Sequence, residues 1–530
     1  MDLAAVSPPR RAAAPIAPIA PPARALALLV LLLVGWGAAD GVRAQDRQKR
    51  AADPGTPDDP ADSFTLAEGL EIEVWAETPQ LRNPTNIDVD EEGRIWAVEA
   101  VDYRGFNNPA EERLARDRGE RIVILEDTNG DGRADSSKVF VEDPDLTAPL
   151  GIAVFGNRVV VSAAPSVYVY TDTDGDDRPE KKDVLLSGFG GMNHDHAVHA
   201  VTAGPDGRWY LNAGNAGPHV VTDRDGWTLR AGGTYHGGSP YHTYNQGGLR
   251  SSDGEIYAGG VALSIRPDGG GMEVLSHNYR NAYELAVDSY GSLWTNDNDD
   301  EVRTCRTAWV MEGSSAGYFN ADGTRFWHED RRPGQHIFTA HWHQEDPGVL
   351  PAGDRTGAGA PTGITVYEGD ALGDRFRGWI LSADAGRNAV FGYPGTRKGA
   401  GYAMDRQIFL RSVQTSTAGY VWHEIREDPA YWFRPSDVAV GTDGAIYVAD
   451  WYDPVVGGHA MRDTTGFGRI YRITPTDEEP TAPEIDLSTL EGQLAALRSP
   501  APNVRHEGFR RLRRRGSSAI EAVRPLLEAE

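Results

Sequence analysis

The sequence predicts an all-β protein, built as a six-bladed β-propeller with a short C-terminal α-helical extension. The main observation is a repeat in which an alternating apolar segment leads to a turn glycine, with an aromatic residue three positions after that glycine. The four clear copies are Ile87–Val89 to Gly93 to Trp96, Val201 to Gly207 to Tyr210, Leu285–Val287 to Gly291 to Trp294, and Val438–Val440 to Gly444 to Tyr447. Period-two alternation is typical of strands, and Asp-Gly turns are typical of hairpins.

Two looser copies bring the number of repeats to six. They begin at Gly151–Val154, with a turn at Gly156, and at Gly363–Val366, with a longer loop before Trp379. Six hairpins with further strands between them favour radially arranged blades over other all-β architectures. A long β-sandwich or two stacked barrels are the alternatives.

The composition narrows the class of protein. With 40% hydrophobic residues and 13 Trp in 530 residues, the chain can bury a large core. Its formal net charge of −26 disfavours nucleic acid and anionic membrane as partners, because both attract clusters of Lys and Arg. Cys305 is the only cysteine, which excludes an internal disulfide and a Cys-x-x-Cys-His haem attachment in this sequence.

The N-terminus has the features of a secretory signal. Arg10, Arg11 and Arg24 precede an apolar run at 25–34, and small residues around Ala44 suit signal peptidase. The run is shorter than the roughly 20 residues that a membrane-spanning helix needs, so an uncleaved anchor is the alternative and the one expected route to membrane association. We therefore predict a periplasmic or secreted protein.

The remaining boundaries follow from changes in composition. We predict a signal peptide at 1–44, a disordered linker at 45–62, the propeller at 63–476, and a linker with helices at 477–530. Ser488-x-x-Glu491 and Ser518-x-x-Glu521 are capping boxes ahead of apolar residues at helical spacing. These helices either pack on the propeller or begin a helical repeat array. The arginine-rich segment 510–515 is interpreted as a solvated helix face.

Two loops have the spacing of calcium ligands. Oxygen-bearing side chains alternate with turn residues in both, and this pattern suits a hard cation. The first set is Asp127, Asn129, Asp131 and Asp135; the second is Asp172, Asp174, Asp176 and Glu180. The second has Asp177 where the turn glycine is expected, so the first fits the pattern better. Plain acidic turns are the alternative for both loops.

Three segments could carry chemistry. Asn193-His194-Asp195-His196 precedes a turn and, if it is a strand, places the two histidines on one face and the aspartate on the other. Arg280-Asn281 leads into a later repeat, and an acidic run at 296–301 follows the Trp294 of that repeat. Arginine is suited to bind an oxyanion, and the acidic run offers oxygen ligands for calcium. Structural histidines, an ion-paired arginine and simple turns are the alternatives.

The order of these segments resembles the soluble quinoprotein sugar dehydrogenases, which are six-bladed propellers that use pyrroloquinoline quinone (PQQ) and calcium. The resemblance covers roughly residues 64–475. The segments 433–438 and 447–454 (Phe-Arg-Pro-Ser-Asp-Val and Tyr-Val-Ala-Asp-Trp-Tyr-Asp-Pro) are similar to the membrane-bound dehydrogenase family of Planctomycetes and Verrucomicrobia. Members of that family continue into HEAT-like helices and a cytochrome c domain, so the predicted C-terminal helices fit such a continuation.

This resemblance implies roles for individual residues. His196 matches the general base and Asp195 its acidic neighbour, while Arg280 and Asn281 match contacts to quinone and substrate. Arg434 matches a cofactor-binding arginine, and Arg387 or Gly386 stands where a lysine is expected. Calcium would be held by Asp300, with Asn296 and Asp297. The chain departs from the pattern at Ser436, where a second arginine is expected, and it lacks the Gly-Pro of the calcium shell.

The resulting expectation is a dehydrogenase that oxidises a sugar or sugar alcohol and passes electrons to a cytochrome c partner. An imidazole that titrates near neutrality is suited to take the hydroxyl proton. One alternative is a non-catalytic propeller that binds carbohydrate or protein, and another is a calcium-dependent lactonase or hydrolase. Because one fold hosts many chemistries, the repeats alone do not decide among them.

Overall fold

The computed structural model describes residues 64–103, 116–192, 194–236, 244–299, 303–326, 331–413, 427–456, 463 and 465–528. The predicted signal peptide and linker lie outside the described residues, as do Asn193 and Asp300. Within the described ranges, no helix is long and apolar enough to cross a membrane.

Six antiparallel sheets make up most of the described chain, and each contains four strands that lie side by side. Sheet 1 comprises Pro84–Val89, Ile95–Glu99, Glu120–Glu126 and Ser136–Asp143. Sheet 2 comprises Gly151–Phe155, Arg158–Ala163, Ser166–Thr171 and Lys181–Ser187. Sheet 3 comprises Val198–Ala203, Trp209–Ala213, Gly260–Ile265 and Glu273–Tyr279, with Ser314–Ser315 added in parallel.

The other three sheets follow the same order. Sheet 4 comprises Leu285–Val287, Leu293–Asp297, Cys305–Val310 and Asp354–Gly357. Sheet 5 comprises Pro361–Tyr367, Trp379–Asp384, Ala389–Tyr393 and Gln407–Arg411, with Thr65–Leu66 as a fifth strand. Sheet 6 comprises Pro435–Val440, Ile446–Asp450 and Arg469–Pro475, and its outer strand is the N-terminal segment Leu70–Glu77. The two ends of the β region therefore share one sheet.

Short strands and helices decorate these sheets. The additional strands are His219–Thr222, Thr228–Gly232, Thr234–His236, Tyr257–Ala258, Thr324–Phe326, Arg397–Lys398 and Gly401–Tyr402. A 3₁₀ turn covers Pro429–Tyr431. The described helices are α1 (Ile337–His341), α2 (Leu490–Leu497), α3 (Pro502–Arg515) and α4 (Ser517–Glu528).

The first strands of the sheets lie side by side around a common centre. Each first strand contacts that of the next sheet, and the first strand of sheet 6 contacts that of sheet 1. The six sequence repeats fall on these first strands, one in each sheet. The mostly β architecture agrees with the predicted propeller.

The geometry of the turns explains the fixed offset of the aromatic residue. The glycines at 93, 207, 291 and 444 have φ between 79° and 84°, a conformation that other residues rarely adopt. In three of these repeats an aspartate in the turn accepts a hydrogen bond from the aromatic side chain. These pairs are Asp90 with Trp96 (2.7 Å), Asp206 with Tyr210 (3.0 Å) and Asp443 with Tyr447 (3.2 Å). The glycine therefore allows the turn, and the aromatic side chain holds the aspartate of the same turn.

Hydrogen bonds between side chains and main chain join every pair of neighbouring sheets. They run between Asp88 and Val154 N (2.6 Å), Ser162 and His199 O (2.5 Å), His199 and Ala282 O (2.7 Å), Glu284 and Ile364 N (2.8 Å), Thr362 and Pro435 O (2.6 Å), and Asp437 and Ile87 N (2.8 Å). The first strand of each sheet has one edge without a neighbouring strand in its own sheet. These side chains make hydrogen bonds with some of the main-chain N–H and C=O groups along that edge.

The space at the centre is narrow and acidic. A cavity of about 40 Å³ is lined by residues of all six first strands, including Asp88, Glu284 and Asp437. Burial raises the pKa of Asp88 to about 7 and that of Asp437 to about 6, and it raises the pKa of Glu284 well above its ordinary value. Three carboxyl groups therefore share a space that disfavours their charged forms.

The C-terminal helices pack on the sheets, which was one of the two alternatives from the sequence. Helix α3 contacts the first strands of sheets 2 and 3, and its residues Pro502 and Asn503 close one end of the central cavity. The Asn503 amide donates to Asp88 (2.7 Å) and accepts from Ala203 N (3.0 Å). Helix α2 begins one residue later than the capping box suggested, because Thr489 is its N-cap and accepts from Gly492 N (3.0 Å).

Candidate functional site

The segment His194-Asp195-His196 is a turn and not the strand that the sequence analysis considered. The first strand of sheet 3 begins at Val198, and the His196 amide donates to Nδ1 of His194 (3.0 Å). Asp195 lies between the rings, with Oδ1 3.1 Å from His194 Nδ1 and Oδ2 3.5 Å from His196 Nε2. A turn gathers three side chains that a strand would place on opposite faces. All three are buried.

Asn215 orients the His196 ring, a contact that the sequence analysis missed. Its Oδ1 is 2.6 Å from His196 Nδ1, and its Nδ2 donates to the Tyr235 hydroxyl (2.7 Å). Tyr235 in turn donates to the hydroxyl of Tyr318 (3.1 Å). Because the amide oxygen accepts, Nδ1 carries the proton and the lone pair of neutral His196 is on Nε2. No local pattern marks Asn215, although it lies two residues after a second strand, as Asp299 does.

Arg280 and Asn281 lie close to the loop that holds His196. The Arg280 carbonyl accepts from Asn215 N (2.7 Å), which ties the junction of sheets 3 and 4 to the loop that holds His196. Oδ1 of Asn281 is buried and has no hydrogen-bond partner among the residues that the structure describes. A Cβ placed on Gly214 would lie 2.9 Å from that oxygen and 2.7 Å from the Cα of His196, so the two residues flank the same glycine. Arg280 donates to Asn298 Oδ1 (2.5 Å).

Asp297 caps the main chain in this structure, and its role as a calcium ligand stays a prediction. Its two oxygens accept from Arg280 N (3.0 Å) and Asn281 N (2.6 Å), and burial raises its pKa to about 6. Asn296 is the preceding residue on the same strand and points to sheet 5, where it donates to Thr362 O (2.8 Å) and Ser382 Oγ (3.0 Å). Neighbouring residues on a strand face opposite sides, so these two side chains point away from each other in this structure.

The same capping arrangement recurs where the second strands of other sheets end. Glu99 accepts from Arg82 N (2.8 Å), Asp384 from Ala360 N (2.7 Å) and Asp450 from Arg434 N (2.8 Å). Burial raises the pKa of Asp384 and of Asp450 to about 6. Acidic residues at these strand ends hold the segment that enters the first strand, so acidity at this position does not indicate a metal site.

Arg434 and Arg387, predicted to bind the cofactor, form a second group on sheets 5 and 6. The Arg434 guanidinium donates to the carbonyls of Ala385 (3.0 Å), Asp453 (2.8 Å) and Pro454 (3.3 Å). Arg387 donates to the carbonyls of Thr356 (3.0 Å) and Ala358 (3.3 Å). Both guanidinium groups hold loop main chain in this structure. Ser436, in place of the expected second arginine, is buried and donates to Pro84 O (2.6 Å) between two first strands.

A buried pair between Asp299 and His341 was also missed. His341 ends helix α1, and its Nδ1 lies 2.5 Å from Asp299 Oδ1, with both side chains fully buried. The other oxygen of Asp299 accepts from Arg303 N (3.2 Å) and Thr304 N (3.1 Å). Asp299 directly follows Asn298, the hydrogen-bond partner of Arg280. The two residues are far apart in sequence, so only the fold brings them together.

The two predicted calcium loops rank in the opposite order in the structure. In the second loop, ligand atoms of Asp172, Asp174, Asp176 and Glu180 all lie within 4.8 Å of one another. In the first, Asp127 accepts from Gly130 N (2.7 Å) and Gly132 N (2.9 Å), while Asp135 accepts from Thr128. Among the described residues, the carboxylates of the first loop do not form a comparable group.

The residue that weakened the second sequence match has a structural role. Asp177 has a φ of 60°, which costs an ordinary residue energy. Its carboxylate bridges Arg94 (2.9 Å) and Lys138 (3.1 Å) of sheet 1, and these ion pairs offset that cost. The aspartate therefore joins sheets 1 and 2 at a position where a glycine could not.

Comparison of the fold of this chain with solved structures finds similar ones, including the following three. A Trichoderma reesei structure of Carbohydrate-Active Enzymes Family AA12 has a TM-score of 0.50 at 12% identity, over 79% of this chain and 98% of that one. The pyranose dehydrogenase PQQ domain of Coprinopsis cinerea gives 0.49 at 16% identity, covering 78% and 97%. The PQQ-bound aldose sugar dehydrogenase of Streptomyces coelicolor gives 0.46 at 15%, covering 77% and 99%. The first of these supports a shared fold.

Sequence comparison gives the family. No curated protein matches the chain. The model of a domain of unknown function, DUF7133, matches residues 56–237 and 237–477, which together span most of the β region described above. The chain belongs to the DUF7133 family.

Proposed function

We propose that this protein is an exported quinoprotein-like dehydrogenase that oxidises a sugar or a sugar alcohol, and that its six sheets are the blades of one propeller. The observation that carries the proposal is the approach of His196 to Asn281, from two separate chain segments, around Gly214. The order of these segments resembles the quinoprotein sugar dehydrogenases. The fold is similar to that of a carbohydrate-active enzyme.

His196 is the proposed general base. Its Nδ1–H points to Asn215, so Nε2 is the atom that takes the proton of a substrate hydroxyl. Asp195, 3.5 Å from Nε2, stabilises the imidazolium that then forms. Asn215 and Tyr235 act as positioning residues, because they fix the ring and its tautomer without touching the substrate.

The positive charges of three described arginines are suited to an anionic quinone. Arg280, Arg387 and Arg434 would face its carboxylates, and the unpartnered oxygen of Asn281 would accept an N–H of the cofactor. Binding requires Arg387 and Arg434 to exchange hydrogen bonds that they now make with main-chain carbonyls. PQQ, when bound, supplies the acceptor for the hydride of the substrate carbon.

Calcium beside the quinone is proposed on Asp300. Asp297 and Asn296 are committed to the main chain and to sheet 5, so they do not contribute to this proposal. We also propose that a cytochrome c accepts the electrons. A chain with a net charge of −26 attracts a basic electron carrier, and the attraction weakens as salt increases.

The test is dye-coupled oxidation by protein reconstituted with PQQ and CaCl₂, assayed against a panel of aldoses and polyols. We expect activity from the wild type and a loss of about 100-fold or more for His196→Gln, because general-base catalysis contributes about 10²–10⁴-fold. His277→Gln is the matched control, since His277 is another histidine of sheet 3 whose Nδ1 accepts from Ala258 N (3.1 Å). The proposal fails if the wild type oxidises nothing or if both variants retain its rate.

A second candidate function is a propeller that binds carbohydrate without a quinone. It is favoured because Arg387 and Arg434 already donate to main-chain carbonyls. In that case Arg387 and Arg434 keep their contacts with main-chain carbonyls. Equilibrium titration of PQQ separates the two functions. Saturable PQQ binding that Arg280→Gln weakens supports the dehydrogenase, whereas sugar binding with no PQQ binding supports the second candidate.

A further inference from the structure

A second cavity lies at the far end of the first strand of sheet 3. His196 precedes that strand, whereas Gly204 and Pro205 follow it, so the two places are roughly 20 Å apart at about 3.3 Å per residue. The cavity has a volume of about 250 Å³ and separates the ends of sheets 3 and 4 from helices α2 and α3. Its apolar lining includes Pro205, Val287, Leu497 and Phe509.

His506 is the unusual polar group of this cavity. The residue is 5% exposed, and among the described residues neither Nδ1 nor Nε2 makes a hydrogen bond of normal geometry, although the Gly204 main chain lies close enough to the ring to raise its pKa. Its ring packs edge-on against Phe155, with centroids 5.3 Å apart. Burial lowers its pKa to about 4, although the neighbouring Gly204 main chain and Glu507 oppose this effect. A neutral imidazole offers one N–H donor and one acceptor nitrogen.

The other polar side chains of the lining already have partners. Arg505 pairs with Glu368 (2.5 Å) and donates to Ser499 O (2.7 Å). Ser289 donates to the same carboxylate of Glu368 (3.0 Å), and Asp288 accepts from Ser292 N (2.7 Å). Within the described lining, His506 is therefore the side chain without a hydrogen bond of normal geometry, although buried polar groups are ordinarily satisfied.

We propose that this cavity binds a small neutral molecule with an apolar ring and a hydroxyl group, and that the hydroxyl bonds to His506. A hydroxyl both donates and accepts, so it complements a neutral imidazole. The size is sufficient, because an apolar cavity of about 150 Å³ holds benzene. Arg505 is neutralised by Glu368, which removes the attraction for a charged ligand. The site is separate from the one proposed for sugar oxidation and does not depend on it.

Calorimetric titration with phenol and toluene, which have nearly the same shape, tests the role of His506. We expect phenol to bind the full chain about tenfold more tightly than toluene, since one hydrogen bond to a buried group is worth about that factor. His506→Phe should bring the two affinities within about twofold of each other. Equal affinities in the wild type, or a preference for phenol that survives His506→Phe, would overturn the proposal.

A second variant tests the location without altering the histidine. Leu497 lines the cavity, so Leu497→Trp should fill it and abolish the binding of both probes. Val184→Trp adds the same indole at a side chain that is 58% exposed on sheet 2, and it should bind as the wild type does. Undiminished binding by a folded Leu497→Trp variant, with the fold checked by near-ultraviolet circular dichroism, would contradict the proposed site.

Discussion

Two groups of buried acidic residues in this protein do different work. Along the central cavity and at the strand ends, carboxylates accept from main-chain N–H groups: Asp437 from Ile87, Asp88 from Val154, and Asp297 from Arg280 and Asn281. Asp195, in the histidine turn, instead lies between two imidazoles. The comparison teaches that the partner of a buried carboxylate, not its acidity, separates a structural role from a functional one.

The largest expected effect is on stability, at Asp437. Asp437→Ala leaves Ile87 N and the Asn86 amide (2.6 Å) without their acceptor in a dry environment, which costs about 3 kcal/mol or more. His196→Gln should change the free energy of unfolding by less than about 1 kcal/mol, because it removes no acceptor of the main chain. Urea denaturation measures both. Equal losses in the two variants would erase the distinction between structural and functional carboxylates.

The central carboxyl groups should also make stability depend on pH. Their folded pKa values are raised, so their contribution is fully present below the ordinary carboxyl range and is lost as the pH rises through about 6 to about 7. Gln at position 284 does not titrate. We therefore expect the stability of Glu284→Gln relative to the wild type to increase by about 1 kcal/mol from about pH 5 to about pH 8.

The variant must be compared with the wild type at each pH, because buried histidines make stability depend on pH in the opposite direction. Burial lowers the pKa values of His219, His277 and His506 to about 4, so their contributions are lost as the pH falls below about 6.5. These contributions cancel in the difference between variant and wild type. A difference that stays flat with pH would show that Glu284 is ionised throughout.

Asp297 tests whether strand-end carboxylates are caps or ligands. Asp297→Asn weakens two hydrogen bonds to main-chain N–H groups, so we expect a loss of about 1–2 kcal/mol in stability. Calcium titration of the variant should match that of the wild type. A loss of calcium affinity with unchanged stability would restore the ligand role that the sequence suggested.

The smallest expected effect concerns the exposed loop of sheet 2. Removing calcium with EGTA should lower the melting temperature by about 1–3 °C, because an ion that binds the folded state stabilises it by mass action. Glu180→Gln should reduce this shift, whereas Asp135→Asn in the other loop should leave it unchanged. A shift that follows Asp135 and not Glu180 would reverse the ranking given by the structure.

Local patterns made much of this fold predictable. Period-two alternation and turn glycines located the first strands of all six sheets, because these features depend on residues close in sequence. The sequence also placed Arg280-Asn281 ahead of a repeat, whereas the roles of His196, Arg280 and Asn281 stay predictions. Asn215, Tyr235 and His341 could not be predicted, since each depends on contacts with distant segments.

The errors have a common physical origin. Asp297 has the chemistry of a calcium ligand, and nothing in its local sequence shows that two main-chain N–H groups occupy it. Asn296 is different, because alternation along a strand already points its side chain away from that of Asp297. The sequence left open whether the histidine segment forms a strand, and in the structure a hydrogen bond from His196 N to His194 belongs to a turn.

A crystal structure of the protein soaked with PQQ, CaCl₂ and an aldose tests the central claim most directly. The proposal predicts density within hydrogen-bond distance of His196 Nε2 and Asn281 Oδ1, with the Arg280 guanidinium against a cofactor carboxylate and Asp297 still bonded to the main chain. Density at another face of the sheets, or the same contacts among His196, Asn215 and Asn281 with no bound ligand at saturating concentrations, would contradict it.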